Sequence, residues 1–226
     1  MGKDRKELIG HLAGFISERR VGLFERVLDF RTRYITVVLE DIYHSQNASA
    51  VLRSCECFGI QDVHIIENRH AYRVNPDVVR GASKWLNIFR YRGNEFNTRD
   101  AVQALKQKDY RIIATTSREG SLSLEQFDIG KGKFALFFGT ERTGLSESLL
   151  ELADERIRVP MHGFTDSFNL SVSAAVILHH LTLKLHRSPL KWKLDPVERE
   201  EILIRWMMKS IKHLRGKSPE SIIHPD

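Results

Sequence analysis

Apolar residues along this chain fall into two rhythms. Short unbroken runs occupy residues 34–39 (Tyr-Ile-Thr-Val-Val-Leu), 63–66 (Val-His-Ile-Ile), 86–91, 111–115, 134–138 (Phe-Ala-Leu-Phe-Phe) and 156–159. They are β-branched or aromatic and short, which predicts buried strands. Between them the spacing lengthens to the helical period. Asn47 is expected to open a helix running to Phe58, with Gly59 ending it as glycine does just past a helix. Further helices are predicted over 99–108, 146–153 and 169–186. Strands alternating with helices predict an α/β fold: a mostly parallel sheet with helices on both faces.

The flanks read differently. Leu8, Ile9, Leu12 and Phe15 share one helical face, and Phe24, Val27, Leu28 and Arg31 continue the pattern in a second helix after Ser17. Beyond Pro189 and Pro196, residues 197–214 place Ile202, Leu203, Trp206, Met207 and Ile211 at helical spacing with basic residues between, one amphipathic helix with a basic outer face. Residues from Gly216 onward hold two prolines and few apolar groups, and are expected to be disordered. The expected division is a helical extension over 1–33, an α/β domain over 34–188 and a basic helical extension over 189–226.

Composition narrows the class. The 226 residues are 42% hydrophobic and 28% charged, a soluble globular balance. No apolar run reaches the eighteen or so residues that span a bilayer. The first seven residues lack the apolar segment of a signal peptide, so a cytoplasmic protein without a membrane association is expected. Cys55 and Cys57 are the only cysteines; they read as reduced packing residues and exclude a disulfide framework. Charge is uneven: residues 1–33 carry eight Lys/Arg against five Asp/Glu, 34–183 carry seventeen against eighteen, and 184–217 carry ten against four. Basic flanks beside a neutral core suit a polyanion, with nucleic acid the favoured partner. Lys209, Lys212 and Arg215 are the candidate phosphate contacts.

Familiar nucleotide and hydrolase signatures are missing: there is no G-x-G-x-x-G after the first strand, no G-x-x-x-x-G-K-[ST] and no G-x-S-x-G. His179 and His180 are adjacent and diverge on a helix, so no metal site is expected. What remains are polar junctions at strand ends, where parallel sheets bind ligands. The richest is Gly163-Phe-Thr-Asp-Ser167-Phe-Asn169-Leu-Ser-Val-Ser-Ala-Ala-Val-Ile177, hydroxyl, amide and carboxylate groups running into an apolar helix. An ordinary helix cap would explain it alone. Two companions, around Asn47 and around Gly139-Thr-Glu141, point to a shared site. Thr115 and Thr116 offer hydroxyls, Gly139 permits close backbone approach, and Glu141 lies at a helix-forming turn. Arg53, among Ala50, Val51, Leu52 and Cys57, either lays its stem along apolar surface or holds a phosphate with its fork.

These junctions carry a resemblance. Asn47-Ala-Ser-Ala-Val-Leu-Arg53 with Gly59, then Phe138-Gly-Thr-Glu141-Arg-Thr-Gly144-Leu-Ser146, then Val159-Pro-Met161 followed by Ser167-Phe-Asn169-Leu-Ser171-Val, resembles the three motifs of the SpoU/TrmH family. The family comprises S-adenosylmethionine-dependent RNA 2′-O-ribose methyltransferases of the SPOUT class. The motifs stand in the family's order and spacing over roughly 34–186. Phe168 stands where the family usually has Leu, and Ser54 where Thr commonly follows the arginine. Neither change removes a functional group, though Phe168 alters the cofactor wall.

The resemblance implies a deep C-terminal trefoil knot, a rare exception to unthreaded chains, whose loops hold S-adenosylmethionine. It implies that Thr115, Gly139, Val159, Met161 and Phe168 line the cofactor site. It also implies a homodimer with the active site at its interface, so that Arg53 faces the partner's cofactor. Arg53 matches the family's catalytic arginine. Arginine is a poor base, so a positional role is expected, holding a phosphate and lowering the charge cost of an alkoxide. Asn47 would orient Arg53, Ser167 and Asn169 would fix the ribose and loop, and Glu141 would order the knot. The short flanks look like the tRNA branch that methylates guanosine 18 of the D-loop. Methylation of rRNA or of another tRNA position, and a non-catalytic RNA-binding protein of the same fold, are the alternatives.

Overall fold

A computed structural model of the chain describes residues 2–73, 75–94, 97–214 and 216, with side chains from Arg5 onward. The tail beyond Gly216, expected to be disordered, lies outside the described residues, as does Arg215. The chain forms two compact units, residues 1–32 with 193–226, and residues 33–192. The two flanks that look separate in the sequence thus belong to one unit.

That unit contains α1 (Gly2–Ala13) and α2 (Glu18–Leu28) from the N-terminal flank. Leu8, Leu12, Phe24 and Leu28 are buried in it, at the spacing the sequence predicts. Phe15 falls outside that pattern and is exposed.

The second unit begins with β1 (Ile35–Glu40), α3 (Ser45–Cys57), β2 (Asp62–Ile66), the short α4 (Pro76–Val79) and β3 (Asn87–Tyr91). It continues with α5 (Asn97–Lys106), β4 (Arg111–Thr115), β5 (Leu122–Ser123), β6 (Phe134–Phe138), α6 (Glu147–Leu152), β7 (Glu155–Arg158) and α7 (Leu170–His186). All seven strands pair in parallel, in the order β3-β2-β1-β6-β4-β7-β5. Alternate residues feed opposite faces, as a pleated strand requires. Ile35, Val37 and Leu39 of β1, with Phe134, Leu136 and Phe138 of β6, join a core that includes Leu52 of α3 and Leu178 of α7. Val38 and Phe137 join the other, with Leu105 of α5 and Leu149 of α6. The sheet is therefore covered on both faces.

The last helix, α8 (Pro196–Ser210), returns to the first unit and buries Trp206, Met207 and Ile202 there. Asp195 caps it reciprocally with Glu198, and Pro196 occupies its first turn, both favourable starts. Phe24 meets Trp206 edge-on at 5.8 Å, and the Arg31 guanidinium lies 5.2 Å from the Trp206 ring. Arg199 reaches Asp29 at 2.8 Å and the Glu25 carbonyl at 3.0 Å, tying α8 to α2. The helix is shorter than the pattern predicts: Ile211 leaves helical geometry at ψ 117°, and residues Lys212–Leu214 form a separate 3-10 turn.

Other departures are local. α3 starts two residues early, on His44, so Asn47 sits inside its first turn and does not open it. Gly59 adopts φ 78° and the Ile60 N–H reaches back to the Cys55 carbonyl at 2.9 Å, the left-handed stop expected of that glycine. Cys55 is buried but Cys57 is exposed, so only the first is a packing residue. Strand β5 and helix α4 are too short to show a period in the sequence. Among the described residues no helix is long and apolar enough to cross a membrane.

His64 on β2 gives the sheet a titratable core group. Its ring stacks on Phe89 at 4.8 Å, and its Nδ1 lies 3.0 Å from the Tyr91 hydroxyl. Burial first, and then the Lys108 charge, push its pKa from 6.5 down to about 4. As pH falls through 6.5 the unfolded chain takes up this proton while the fold does not, so stability is lost from pH 6.5 down to about 4. The loss from this group reaches about 3 kcal/mol near the lower limit. Replacing it with phenylalanine (His64→Phe) keeps a stacking ring and should flatten that part of the pH–stability curve in urea titrations. A variant curve as steep as wild type would contradict this reading.

Candidate active site

The carboxyl ends of β4, β6 and β7 open onto one cavity of about 320 Å3. It exists because β6 and β7 are inserted beside β4, so three loops leave the sheet at neighbouring places. Thr115, Gly139, Val159, Met161 and Phe168 all line it, and so do Glu141 and Ser167. Its walls combine apolar Ile157, Leu170 and Ile177 with hydroxyls from Thr116 and Ser173 and charges from Arg118, Arg158 and Asp166.

The shape of the β6 exit depends on Gly139. A Cβ there would lie 2.2 Å from the Gly144 carbonyl carbon and 2.3 Å from the Leu145 nitrogen. The turn 140–144 folds back that tightly because Thr140 and Gly144 exchange backbone hydrogen bonds at 3.0 Å, with Gly144 at φ 70°. The close approach that Gly139 permits is thus that of its own chain at Gly144 and Leu145, beside the cavity it also lines. A substitution at Gly139 would distort this turn, and so is no clean probe of cofactor contact. Beneath the turn, buried Glu40 accepts hydrogen bonds from the Ser146 N–H at 2.9 Å, the Ser146 hydroxyl at 2.7 Å and the Thr98 hydroxyl at 2.8 Å. Ser146 also caps α6, so one carboxylate fixes the point where the segment that carries Glu141 enters that helix.

That turn presents Glu141 to the other two junctions. Asn47 Nδ2 donates a hydrogen bond to Glu141 Oε1, and Asn169 Nδ2 donates to Asn47 Oδ1 at 3.3 Å. Asn169 meanwhile caps α7, its Oδ1 accepting from the Ser171 N–H at 2.9 Å and the Ser171 hydroxyl at 2.7 Å. The helix cap and the site are thus the same residue. Glu141 Oε2 and the Ser167 hydroxyl have no hydrogen-bond partner among the described residues, so both are available to a ligand.

Arg53 stands apart from the cavity of its own chain. It is exposed on the outer face of α3, does not line the cavity, and has no hydrogen-bond or ion-pair partner among the described residues. Asn47 is engaged with Glu141 and Asn169 and does not orient it. The apolar neighbours in the sequence are on the buried side of the helix, while Arg53 shares the outer side with Cys57 and Gln46. Thr115 lines the cavity, but its hydroxyl donates to the Phe137 carbonyl at 2.7 Å, so it braces β4 against β6. Sequence reasoning missed Glu40, which reads as a polar residue closing a strand, and Arg118, which forms a two-pronged ion pair with Glu147. The position of Arg118 shortly after the β4 end was the available signal. Of the candidate phosphate contacts, Lys209 and Lys212 are exposed.

The chain is similar to several known proteins. A protein of Borreliella burgdorferi named tRNA (guanosine(18)-2'-O)-methyltransferase is 39% identical over 213 residues, 94% of this chain and 95% of the relative. A Thermus thermophilus protein of the same name is 32% identical over 85% of this chain and 98% of its own. The crystal structure of an A. aeolicus TrmH/SpoU tRNA modifying enzyme shares the fold with a TM-score of 0.76 at 23% identity, covering 86% of this chain and 98% of that one. The SpoU methyltransferase AviRb from Streptomyces viridochromogenes, solved in complex with AdoMet, has a TM-score of 0.56 at 19% identity, over 70% of this chain and 60% of that one. Residues 34–179 match the SpoU rRNA Methylase family, and the chain belongs to that family.

Proposed function

We propose that this protein transfers a methyl group from S-adenosylmethionine to the ribose 2′-hydroxyl of guanosine 18 in tRNA. The observation that carries this reading is near-full-length similarity to relatives named for that reaction, together with the meeting of Asn47, Glu141 and Asn169 beside the cavity. The alternative of a non-catalytic binding protein is disfavoured because every polar group of the three motifs is present.

The cavity suits the cofactor in size and lining. About 320 Å3 falls in the range of small-molecule sites. Val159, Met161, Phe168 and Leu170 offer an apolar bed for a base, while Arg118 or Arg158 would pair with a carboxylate. Bound there, S-adenosylmethionine supplies an electrophilic methyl carbon. Gly139 holds the floor of the cavity by allowing the 140–144 turn to close, and Thr115 braces the β4 side. Glu141 holds Asn47, Asn47 holds Asn169, and the Ser167 hydroxyl between these segments is positioned to accept or donate to a ribose hydroxyl.

Catalysis needs a positive charge where the 2′-oxygen loses its proton, and the guanidinium of Arg53 is the candidate. Its place outside its own chain's cavity is what a homodimer would use, with Arg53 serving the partner's site. The exposed apolar residues Val172, Val176 and Leu183 on α7, which packs beside α3, support that pairing. The insertion of β6 between β1 and β4, and of β7 between β4 and β5, supports a trefoil-knotted return of the chain. Cavity and cluster lie wholly within residues 33–192, which supports 34–188 as the catalytic domain.

The basic flank is the proposed tRNA grip, through Lys209 and Lys212 and, beyond the described residues, Arg215. Partial desolvation, and then repulsion from Arg205 one turn earlier, push the Lys209 pKa down. A phosphate would relieve that repulsion.

Labelled methyl incorporation into tRNA, with rRNA as comparison, tests the reaction. The Arg53→Ala protein should lose about a hundredfold in kcat, while calorimetric affinity for S-adenosylmethionine changes less than about twofold because Arg53 does not line its own chain's cavity. Arg53→Lys should be impaired as well, since lysine keeps the charge without the planar fork. Near-normal turnover by the lysine variant would show that a point charge suffices. Reversing Lys209 and Lys212 to glutamate should weaken tRNA binding about tenfold and lower the slope of log affinity against log salt by about one per lost contact. An unchanged slope would leave that face merely solvated.

A further inference from the structure

One built feature of the catalytic unit has no part in the cofactor cavity. Tyr43 lies in the connection between β1 and α3, four residues before Asn47, and is 66% exposed. A tyrosine left this open in a short connection would ordinarily be mobile, but here its ring is fixed on two sides. His44 meets it edge-on at 4.8 Å and 79°, and His70 does so at 5.0 Å and 85°.

His70 is itself held. The Asp41 carboxylate, at the end of β1 with φ 55°, accepts hydrogen bonds from the N–H groups of Asn68 at 3.1 Å, Arg69 at 2.7 Å and His70 at 2.8 Å, and lies 3.2 Å from the His70 ring nitrogen. A second carboxylate anchors the same loop. Glu67, buried at the end of β2, takes Arg90 through two bonds of 2.6 and 2.7 Å and the Tyr72 N–H at 2.8 Å. The paired Arg90 guanidinium holds the Glu67 carboxyl below the usual carboxylate range. Two acidic side chains therefore order the loop that sets His70 against the Tyr43 ring.

Cations follow along the chain: Arg69 adjoins His70, and Arg73 and the α4 C-cap Arg80 come after it; all three are exposed, and their guanidinium groups have no partner among the described residues. An open aromatic face with unpaired arginines beside it is how proteins receive an unstacked nucleotide, the ring taking the base and the cations the phosphates. The location fits the reacting centre. β1 is the neighbour of β6 in the sheet, about 5 Å away, so the β1 and β6 exits are adjacent, and Tyr43 is about one helical turn from Asn47 along the chain.

We propose that Tyr43, braced by His44 and His70, is the stacking platform for the base of the nucleotide whose ribose reaches the Asn47–Glu141–Asn169 cluster. The proposal rests on the reading of RNA as substrate. Tyr43 acts by positioning, holding the base so that its ribose faces the cluster, and it takes no part in the cofactor site.

The test uses the full-length protein and two tRNA transcripts, one intact and one lacking the base at the target nucleotide. The Tyr43→Ala protein should bind intact tRNA about tenfold more weakly and show a similar rise in KM. Tyr43→Phe should keep wild-type values, because the ring and not the hydroxyl does the stacking. Affinity for S-adenosylmethionine and the unfolding midpoint should not change in either, since the side chain is mostly exposed and away from the cavity. On the abasic tRNA, wild type and Tyr43→Ala should bind alike, the two losses being one interaction. Equal binding of intact tRNA by wild type and Tyr43→Ala overturns the proposal, as does a tenfold loss that persists on abasic tRNA. Wild-type protein that methylates no tRNA overturns the substrate reading itself, a result distinct from either of these.

Discussion

The hydrogen bond from Asn47 to Glu141 joins parts of the chain that are far apart in sequence and enter the site from different directions. Asn47 comes from the first turn of α3, Glu141 from the turn after β6, and Asn169, bonded in its turn to Asn47, from the start of α7. Each of the three has a local duty as well. Asn169 caps its helix, Glu141 rides on a turn closed by Thr140 and Gly144, and Asn47 belongs to a helix packed on the sheet. An amide between a carboxylate and a second amide can satisfy both neighbours at once, donating through nitrogen and accepting through oxygen. Removing Asn47 breaks both bonds and leaves the other two without a partner across the site, while removing Glu141 or Asn169 breaks one of them.

Below that link, the support is steric and electrostatic. Gly139 lets two backbone segments approach to distances no side chain would permit. Glu40, buried at the end of β1, bonds Ser146 and Thr98 and so fixes where the turn that carries Glu141 meets α6. Asp41 at the same exit and Glu67 at the exit of β2 do the same for the loop that carries His70. The edge of the sheet is thus built from acidic residues facing backbone N–H groups, with arginines left outward. Charge-assisted hydrogen bonds of this kind are stronger than neutral ones.

Much of the architecture was legible in the sequence because burial imposes a period. Residues 134–138 and 63–66 are apolar without interruption since both faces of the sheet are covered, and the structure places strands there. Asn169 was legible both as a cap and as a site residue. The strand-end location of Thr115, Gly139 and Val159 followed from parallel topology. What could not be read was direction and partner. The apolar chain neighbours of Arg53 do not show which way it points, because a helix separates adjacent residues by about 100°, and it faces outward. Gly139 was legible as a place of close backbone approach, but not that the approaching backbone is the chain's own, at Gly144. Glu40 carries no sequence signal at all, because its partners Thr98 and Ser146 are remote. Nor does any pattern announce that residues 1–32 join 193–226 in one unit.

The account stands on the claim that this linked site acts on one ribose of tRNA. The direct measurement is to incubate the protein with S-adenosylmethionine and unmodified tRNA, digest the product with nucleases, and locate the methyl group by mass spectrometry. The account predicts a single 2′-O-methylguanosine at position 18, formed by the wild-type chain and lost when Glu141 is replaced by alanine. A methyl group placed on a base or on a different ribose, or transfer that persists undiminished without Glu141, would contradict it.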